Sequence, residues 1–301
     1  MLTLSHPEAK MSIHNDKVRS MITEQQRLAR KHSIGGSDTA ILMGLSSFKT
    51  PYQLFLEKKG LLESSQEESQ YAYWGNKLEK VIRDEFAERN KVKIEEPDMM
   101  VHPLIDFMHA NVDGYIPEWD AVLEVKCSNA FMASQWGESG SDIIPMPYLV
   151  QVAHYVSVMN AKCAHIAVLI GGNDYREYVY HRNLELEAMV IKACSDFWDA
   201  VQNDNAPPPY DDSDLKLMYP VSAPKKTVTI NSLTRDELTK HIALAAEQKA
   251  LKTAADKHAF NIKVQMQDAE ALLDEQGIPL VTYKSAKNGS RRFIVKGVKD
   301  E

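Results

Sequence analysis

Val112-Asp113-Gly114-Tyr115-Ile116, followed after a short turn by Ala121-Val122-Leu123-Glu124-Val125-Lys126, decides how the rest of the chain is read. An Asp-Gly pair closes one apolar run, and a second, alternating run carries Glu and Lys. That is the pattern of two adjacent strands. Strand side chains alternate with period two, so Val122, Glu124 and Lys126 share one face while Leu123 and Val125 share the other. Glu124 and Lys126 are thereby neighbours, with Asp113 on the adjacent strand. Two convergent carboxylates suit a hard divalent cation such as Mg2+, which takes oxygen ligands and keeps several waters. A lysine beside them steadies an attacking water and balances charge on a phosphate, so phosphodiester hydrolysis is the chemistry this grouping would serve. The same residues also fit a surface hairpin whose Glu124 and Lys126 form a solvated pair worth little.

At 301 residues the chain is long enough for one large domain, or one domain with an appendage. Its 44% hydrophobic and 26% charged content is ordinary for a soluble globular protein. No apolar run approaches membrane-spanning length, and the first residues lack the apolar core of a secretory signal. A cytoplasmic location with no membrane partner is expected. Cys127, Cys163 and Cys194 are scattered without CxxC spacing, and the histidines show no HExxH or HxH arrangement. A disulfide framework and a thiolate or imidazole metal site are thus disfavoured, leaving carboxylates for any metal. The net charge of -7 does not decide for or against nucleic acid, since a groove needs only a local basic lining.

Ahead of the central stretch, residues 19–31 space Met21, Ile22, Leu28 and Ala29 as a helix would and end in Arg27, Arg30 and Lys31. In Ser33-Ile34-Gly35-Gly36-Ser37-Asp38 the paired glycines permit a tight turn, and Ser37 or Asp38 is placed to cap the next helix. Amides at that helix start, with Arg30 and the Ser37 hydroxyl, fit an anion site; an ordinary capped glycine turn fits as well. Thr50-Pro51 opens a helix over 52–59. A longer helix, about 72–90, carries Glu79 and Arg83 at i, i+4, either a solvated pair or a third carboxylate for the metal. Strand-like runs at 91–95, 99–102 and 107–112 lead into the central hairpin.

Beyond it, residues 130–136 are helical in pattern, and a strongly amphipathic helix spans 148–160. Gln151 and Tyr155 share one face of it, an arrangement equally suited to packing. Gly171-Gly172-Asn173-Asp174 joins strands at 165–170 and 175–181, and Asn183 caps a helix reaching about 202. The proline-rich stretch 205–227 reads as a linker, dividing a domain over 1–204 from an extension over 228–301. In that extension a long helix is expected from Thr234 to Gly277, with Leu244, Leu251, Ala255, Ile262, Met266, Ala269 and Leu273 forming one apolar stripe that needs a partner. A hairpin follows around Lys287-Asn288-Gly289. Lys284, Lys287, Arg291, Arg292, Lys296 and Lys299 carry no acid between them, so the hairpin either follows a phosphate backbone or is simply solvated.

In their joint order and spacing these pieces resemble the YqaJ-like viral recombinase family of lambda-exonuclease-like enzymes, within the PD-(D/E)xK nuclease superfamily. The resemblance rests on Arg30 with 34–38, Thr50-Pro51-Tyr52 with Glu57-Lys58, Gly75-Asn76-Lys77-Leu78-Glu79, Asp113-Gly114, Leu123-Glu124-Val125-Lys126, and Gln151 with Tyr155. It implies an α/β fold: a restriction-endonuclease-like core with a mixed central sheet flanked by helices, here followed by the long helix and hairpin. It also implies exonucleolytic digestion of linear duplex DNA from a 5′ end, giving 3′ single-stranded tails for phage-type recombination. Mg2+ or Mn2+, two per active site, would be held by Asp113, Glu124, the Val125 carbonyl and Glu79. Lys126 would orient and activate water, with Gln151 supporting the water or the phosphate and Tyr155 supporting Gln151. Arg30, Ser37, Asn111 and Gln151 would form the 5′-phosphate pocket; Asn111 stands where lambda-type enzymes carry a serine, so end recognition differs there. Arg291, Arg292 and Lys296 are candidate DNA contacts. The implied partners are duplex ends, a phage single-strand annealing protein and further copies of the chain in a trimeric ring. A restriction-type endonuclease would not need the 5′-phosphate grip, and a non-catalytic DNA-binding scaffold would not need Glu79, Asp113, Glu124 and Lys126 all present.

Overall fold

The structure, a computed structural model, describes residues 31–63, 69–287 and 289–296. The chain divides into two compact units, Met1–Val221 and Ser222–Glu301.

In the first unit, helices α1 (Gly36–Leu42), α2 (Pro51–Lys58) and α3 (Gln70–Asn90) precede the strands. The α2 start is the one read from sequence: Thr50 accepts from the Gln53 amide at 3.1 Å, with Pro51 at the first helical position. The α1 start is not. Its N-cap is Gly35, and Asp38 instead reaches back to accept from the Gly35 amide at 3.2 Å. Strands β1 (Met100–His102) and β2 (Ile105–Ala110) were expected to run into the central hairpin but form a two-stranded sheet of their own. The β2 backbone also takes in Ile34, whose amide donates to Phe107 O at 2.7 Å and whose carbonyl accepts from His109 at 2.9 Å. Residues 91–95 contribute only a bridge from Glu95 to Tyr115. There Lys91 leaves α3 in a left-handed conformation, and Pro97 soon removes a backbone donor.

The central sheet is mixed. Strand β3 (Gly114–Ile116) pairs antiparallel with β4 (Ala121–Ser128), β4 parallel with β5 (Cys163–Ile170), and β5 antiparallel with β6 (Asp174–His181). A parallel pair needs a crossover, which a short 3-10 turn at Ala130–Gln135 and helix α4 (Met146–Met159) supply. Helix α5 (Leu184–Gln202) follows β6 and is capped by Asn183 as expected. Period-two alternation divides the core. Val122, Ile166 and Val168 pack with α1, α2, α4 and α5, while Leu123, Val125 and Ala167 pack with Ile82 and Phe86 of α3. Val122, Leu123 and Val125 each contribute about 1.5–3 kcal/mol by burial, which offsets the cost of several kcal/mol for taking Glu124 out of water.

The linker expected over 205–227 is not a free connection throughout. Helix α6 (Asp212–Met218) lies within it, and fully buried Asp214 accepts from Thr50 Oγ1 at 2.7 Å and from the Tyr210 amide at 2.8 Å. A buried carboxylate needs such partners, so the segment is fastened to the start of α2.

In the second unit, α7 (Ser232–Met266) is shorter than expected. It stops where Gln267 turns left-handed, and Gly277 lies in the turn between β7 (Ala271–Leu273) and β8 (Pro279–Ser285). Strand β9 (Arg291–Val295) completes a three-stranded antiparallel sheet in which β8 and β9 are the expected hairpin. Of the turn between them, Asn288 lies outside the described residues. Within this unit, the α7 stripe is covered only near its end, where Ile262 is half-buried and Met266 buried; Leu244 and Leu251 are exposed. Among the described residues no helix is long and apolar enough to cross a membrane.

Candidate active site

Asp113 lies just before β3, outside the strand ladder, which begins at the Gly114 and Leu123 pair. Its side chain is aimed by Val125, whose amide donates to Asp113 Oδ2 at 2.8 Å. Gly114 makes the turn into β3 possible by close approach, since a Cβ there would stand 2.5 Å from Ile94 Cγ2. From the facing strand Glu124, 2% exposed, projects toward α4. Its Oε1 accepts from Lys126 Nζ and from Gln151 Nε2, the latter at 2.8 Å. The Gln151 amide also reaches the Tyr155 hydroxyl at 3.0 Å, and Lys126 Nζ sits 5.1 Å from the Tyr148 ring centroid. Tyr148, Gln151 and Tyr155 therefore form one face of α4 presented to the even-numbered residues of β4.

Gly36 meets this face as well. A Cβ on it would stand 2.4 Å from Tyr155 Cε1, so the glycine is required for close packing of α1 on α4, and neither Gly35 nor Gly36 takes a positive φ. The sequence reading assigned this pair to a tight turn.

The electrostatics are those of an acid pair short of positive charge. Burial pushes the Asp113 carboxyl up, against the pull of Lys126 and the Val125 amide. Burial first and Asp113 second push Glu124 well above the usual carboxylate range. Burial disfavours the charged form of Lys126, but the Glu124 and Asp113 carboxylates outweigh it and the net shift is upward, so Lys126 stays an ammonium. Glu124 Oε2 is buried with no protein N–H or hydroxyl donating to it, and the Asp113 carboxyl stands within hydrogen-bonding reach of Glu124. A buried carboxylate oxygen next to a second carboxylate fits a hard divalent cation, which would satisfy the oxygen and relieve the repulsion.

The structure brings together Asp113, Glu124, Val125, Lys126, Gln151 and Tyr155. Glu79 lies beside the Asp113 main chain, its Oε1 3.5 Å from the Arg83 Nη1 that donates to the Asp113 carbonyl, but among the described residues no three carboxylate, imidazole or thiolate groups converge as metal ligands. Ser37 is exposed on the first turn of α1, and Asn111 is exposed after β2. Arg30 lies outside the described residues. Arg291 departs from its expected role. Its guanidinium donates to the carbonyls of Tyr283 at 3.0 Å, Gln267 at 2.6 Å and Ala269 at 2.6 Å, and stacks on the Tyr283 ring. It pins the end of α7 to the sheet, whereas Arg292 and Lys296 are exposed. Sequence reasoning passed over Tyr148, whose i, i+3, i+7 spacing with Gln151 and Tyr155 was the available signal.

Over 262 residues the chain is 32% identical to the protein YqaJ of Bacillus subtilis (strain 168), an alignment covering 84% of this chain and 81% of that one. Residues 27–162 match the YqaJ-like viral recombinase domain. The chain belongs to the YqaJ-like viral recombinase family. Its fold is similar to that of an alkaline exonuclease from Laribacter hongkongensis, with a TM-score of 0.51 and 17% identity over 65% of this chain and 97% of the exonuclease. The same enzyme in complex with dAMP gives a TM-score of 0.50 at 18% identity. At such identities the likeness is one of fold. In this YqaJ-family chain every residue of the acid, lysine and glutamine cluster falls within the matched domain, and α7 to β9 lie beyond it.

Proposed function

We propose that this YqaJ-family protein is a divalent-metal-dependent exonuclease that digests linear duplex DNA from a 5′ end and leaves 3′ single-stranded tails for recombination. The observation that carries the reading is the convergence of Asp113, Glu124, Lys126 and Gln151 on one spot where Glu124 Oε2 receives no N–H or hydroxyl donor. Asp113, Glu124 and the Val125 carbonyl would hold Mg2+ or Mn2+. When bound, the cation supplies an attacking water of lowered pKa and charge stabilisation at the phosphate.

The protein residues have distinct tasks. Lys126 orients and activates the attacking water and offsets charge on the phosphoryl oxygens. Gln151 fixes Glu124 by its amide, and Tyr155 fixes Gln151. The duplex end is the substrate, an annealing protein would take the tail, and the work belongs in a host cytoplasm, with a ring of subunits holding the duplex.

The test is to incubate the protein with linear duplex, with and without a 5′-phosphate, with Mg2+ or chelator, beside closed circular DNA. Metal-dependent shortening of linear DNA, faster from phosphorylated ends, is expected. Equal cutting of closed circles would replace the exonuclease with a restriction-type endonuclease.

A further inference from the structure

Asp113 is the one member of the acid pair without a strand to hold it, because β3 begins at the next residue. Its side chain is fixed by Val125, which leaves the main chain to be explained. The Asp113 carbonyl accepts from Arg83 Nη1 at 2.8 Å, across from α3. Arg83 is 8% exposed, and its Nη2 lies 3.0 Å from Glu96 Oε1. The same Nη1 is 3.5 Å from Glu79. One planar fork therefore ties three pieces of chain together: α3, the segment after it, and the turn that carries Asp113.

We infer that Arg83 is a positioning residue for the acid pair, fixing the Asp113 main chain so that the carboxylate converges with Glu124 on a divalent cation. The inference rests on the proposed nuclease reading. It follows from what each restraint leaves undone. The Val125 amide sets the direction of the carboxylate only if the Asp113 Cα is already in place. No ladder bond places it, and the donor its carbonyl finds is the guanidinium. The guanidinium thereby sets that position, and Glu96 keeps it aimed. Lysine cannot replace it, since a single ammonium on a flexible stem does not present two donors in a fixed plane to two acceptors at once. Groups that orient metal ligands typically change metal affinity by about tenfold to a hundredfold when lost.

The experiment is a Mn2+ titration of the full chain by calorimetry, with wild type, Arg83→Met and Arg83→Lys compared, each checked by thermal melting. Both variants are expected to bind Mn2+ about tenfold to a hundredfold more weakly, with kcat on linear duplex reduced and KM for DNA unchanged. If Arg83→Met does not fold, Arg83→Lys decides, because it keeps the charge and most of the stem. Wild-type Mn2+ affinity in folded Arg83→Lys overturns the inference. A wild type that binds no Mn2+ would fail the nuclease reading instead.

Discussion

The Val125 amide donates to Asp113 Oδ2 at 2.8 Å, so the backbone of the strand that carries Glu124 and Lys126 also aims the acid on its neighbour. The acids and the lysine are thus set by one strand, and their losses should be separable. Asp113→Ala and Lys126→Ala should each cut turnover by about a hundredfold or more. Calorimetry should show weakened Mg2+ binding in Asp113→Ala only, because Lys126 is no ligand. Substantial activity in Lys126→Ala would remove the lysine from the mechanism.

Gly36→Ala places a methyl group 2.4 Å from Tyr155 Cε1, well inside van der Waals contact. Overpacking of this kind costs about 1–3 kcal/mol, and the displaced Tyr155 would release Gln151 from Glu124. A lower melting temperature with reduced turnover is expected, and Gly35→Ala, which meets nothing within 4 Å, serves as the control.

His154 gives a pH-dependent stability. It is fully buried, and burial lowers its pKa to about 4, against the raising effects of its bond to the His109 carbonyl and of Asp38. His102 and His109, the other titratable groups facing it, lower it further. Its folded pKa is below the unfolded one, so its contribution is complete above about pH 6.5 and lost as pH falls toward 4. The loss amounts to about 3 kcal/mol across that window. Urea melts should show the unfolding free energy of wild type falling between pH 7 and pH 4 by about this amount more than that of His154→Gln; parallel curves would show that His154 charges freely in the fold.

Asp214→Ala should strip Thr50 and the Tyr210 amide of their acceptor and cost about 1.5–3 kcal/mol. A fragment ending at Asp204 should show the same loss of melting temperature, and one ending at Val221 should not. Equal stability of both fragments would make the 205–221 segment a true linker.

Arg292→Ala with Lys296→Ala should leave the second unit folded and lower the salt slope of duplex binding by about 0.9 per charge if both touch phosphates. Arg291→Ala should instead destabilise the sheet, since its donors hold main-chain carbonyls. Removing residues 228–301 should preserve hydrolysis of short duplexes and flatten the salt slope. An unchanged slope would assign the extension to assembly or to a protein partner.

Local patterns carried much of this in the sequence. Period two placed Glu124 and Lys126 together, and the helical repeat placed Gln151 with Tyr155. Thr50-Pro51 and Asn183 marked their helix starts because caps act within a few residues. What was illegible depends on distant partners. Arg83 looked like half of a solvated pair because the Asp113 carbonyl is thirty residues away. Arg291 looked like a DNA contact because two of its carbonyl acceptors, Gln267 and Ala269, lie more than twenty residues away in sequence. The end of α7 at Met266 comes where Gln267 takes a positive φ ahead of β7, a break that the apolar periodicity does not encode.

Strand β4 sends Leu123 and Val125 to one core and Val122 to the other, with Glu124 and Lys126 following Val122. Such a strand tolerates exchange of side chains far better than a change in its length. Deleting a single residue between Ala121 and Leu123 would turn the acid and the amine toward Ile82 and Phe86, and would send apolar groups to the cation side. Among relatives of this chain, insertions and deletions should therefore accumulate in the turn at 117–120 and stop sharply at Ala121.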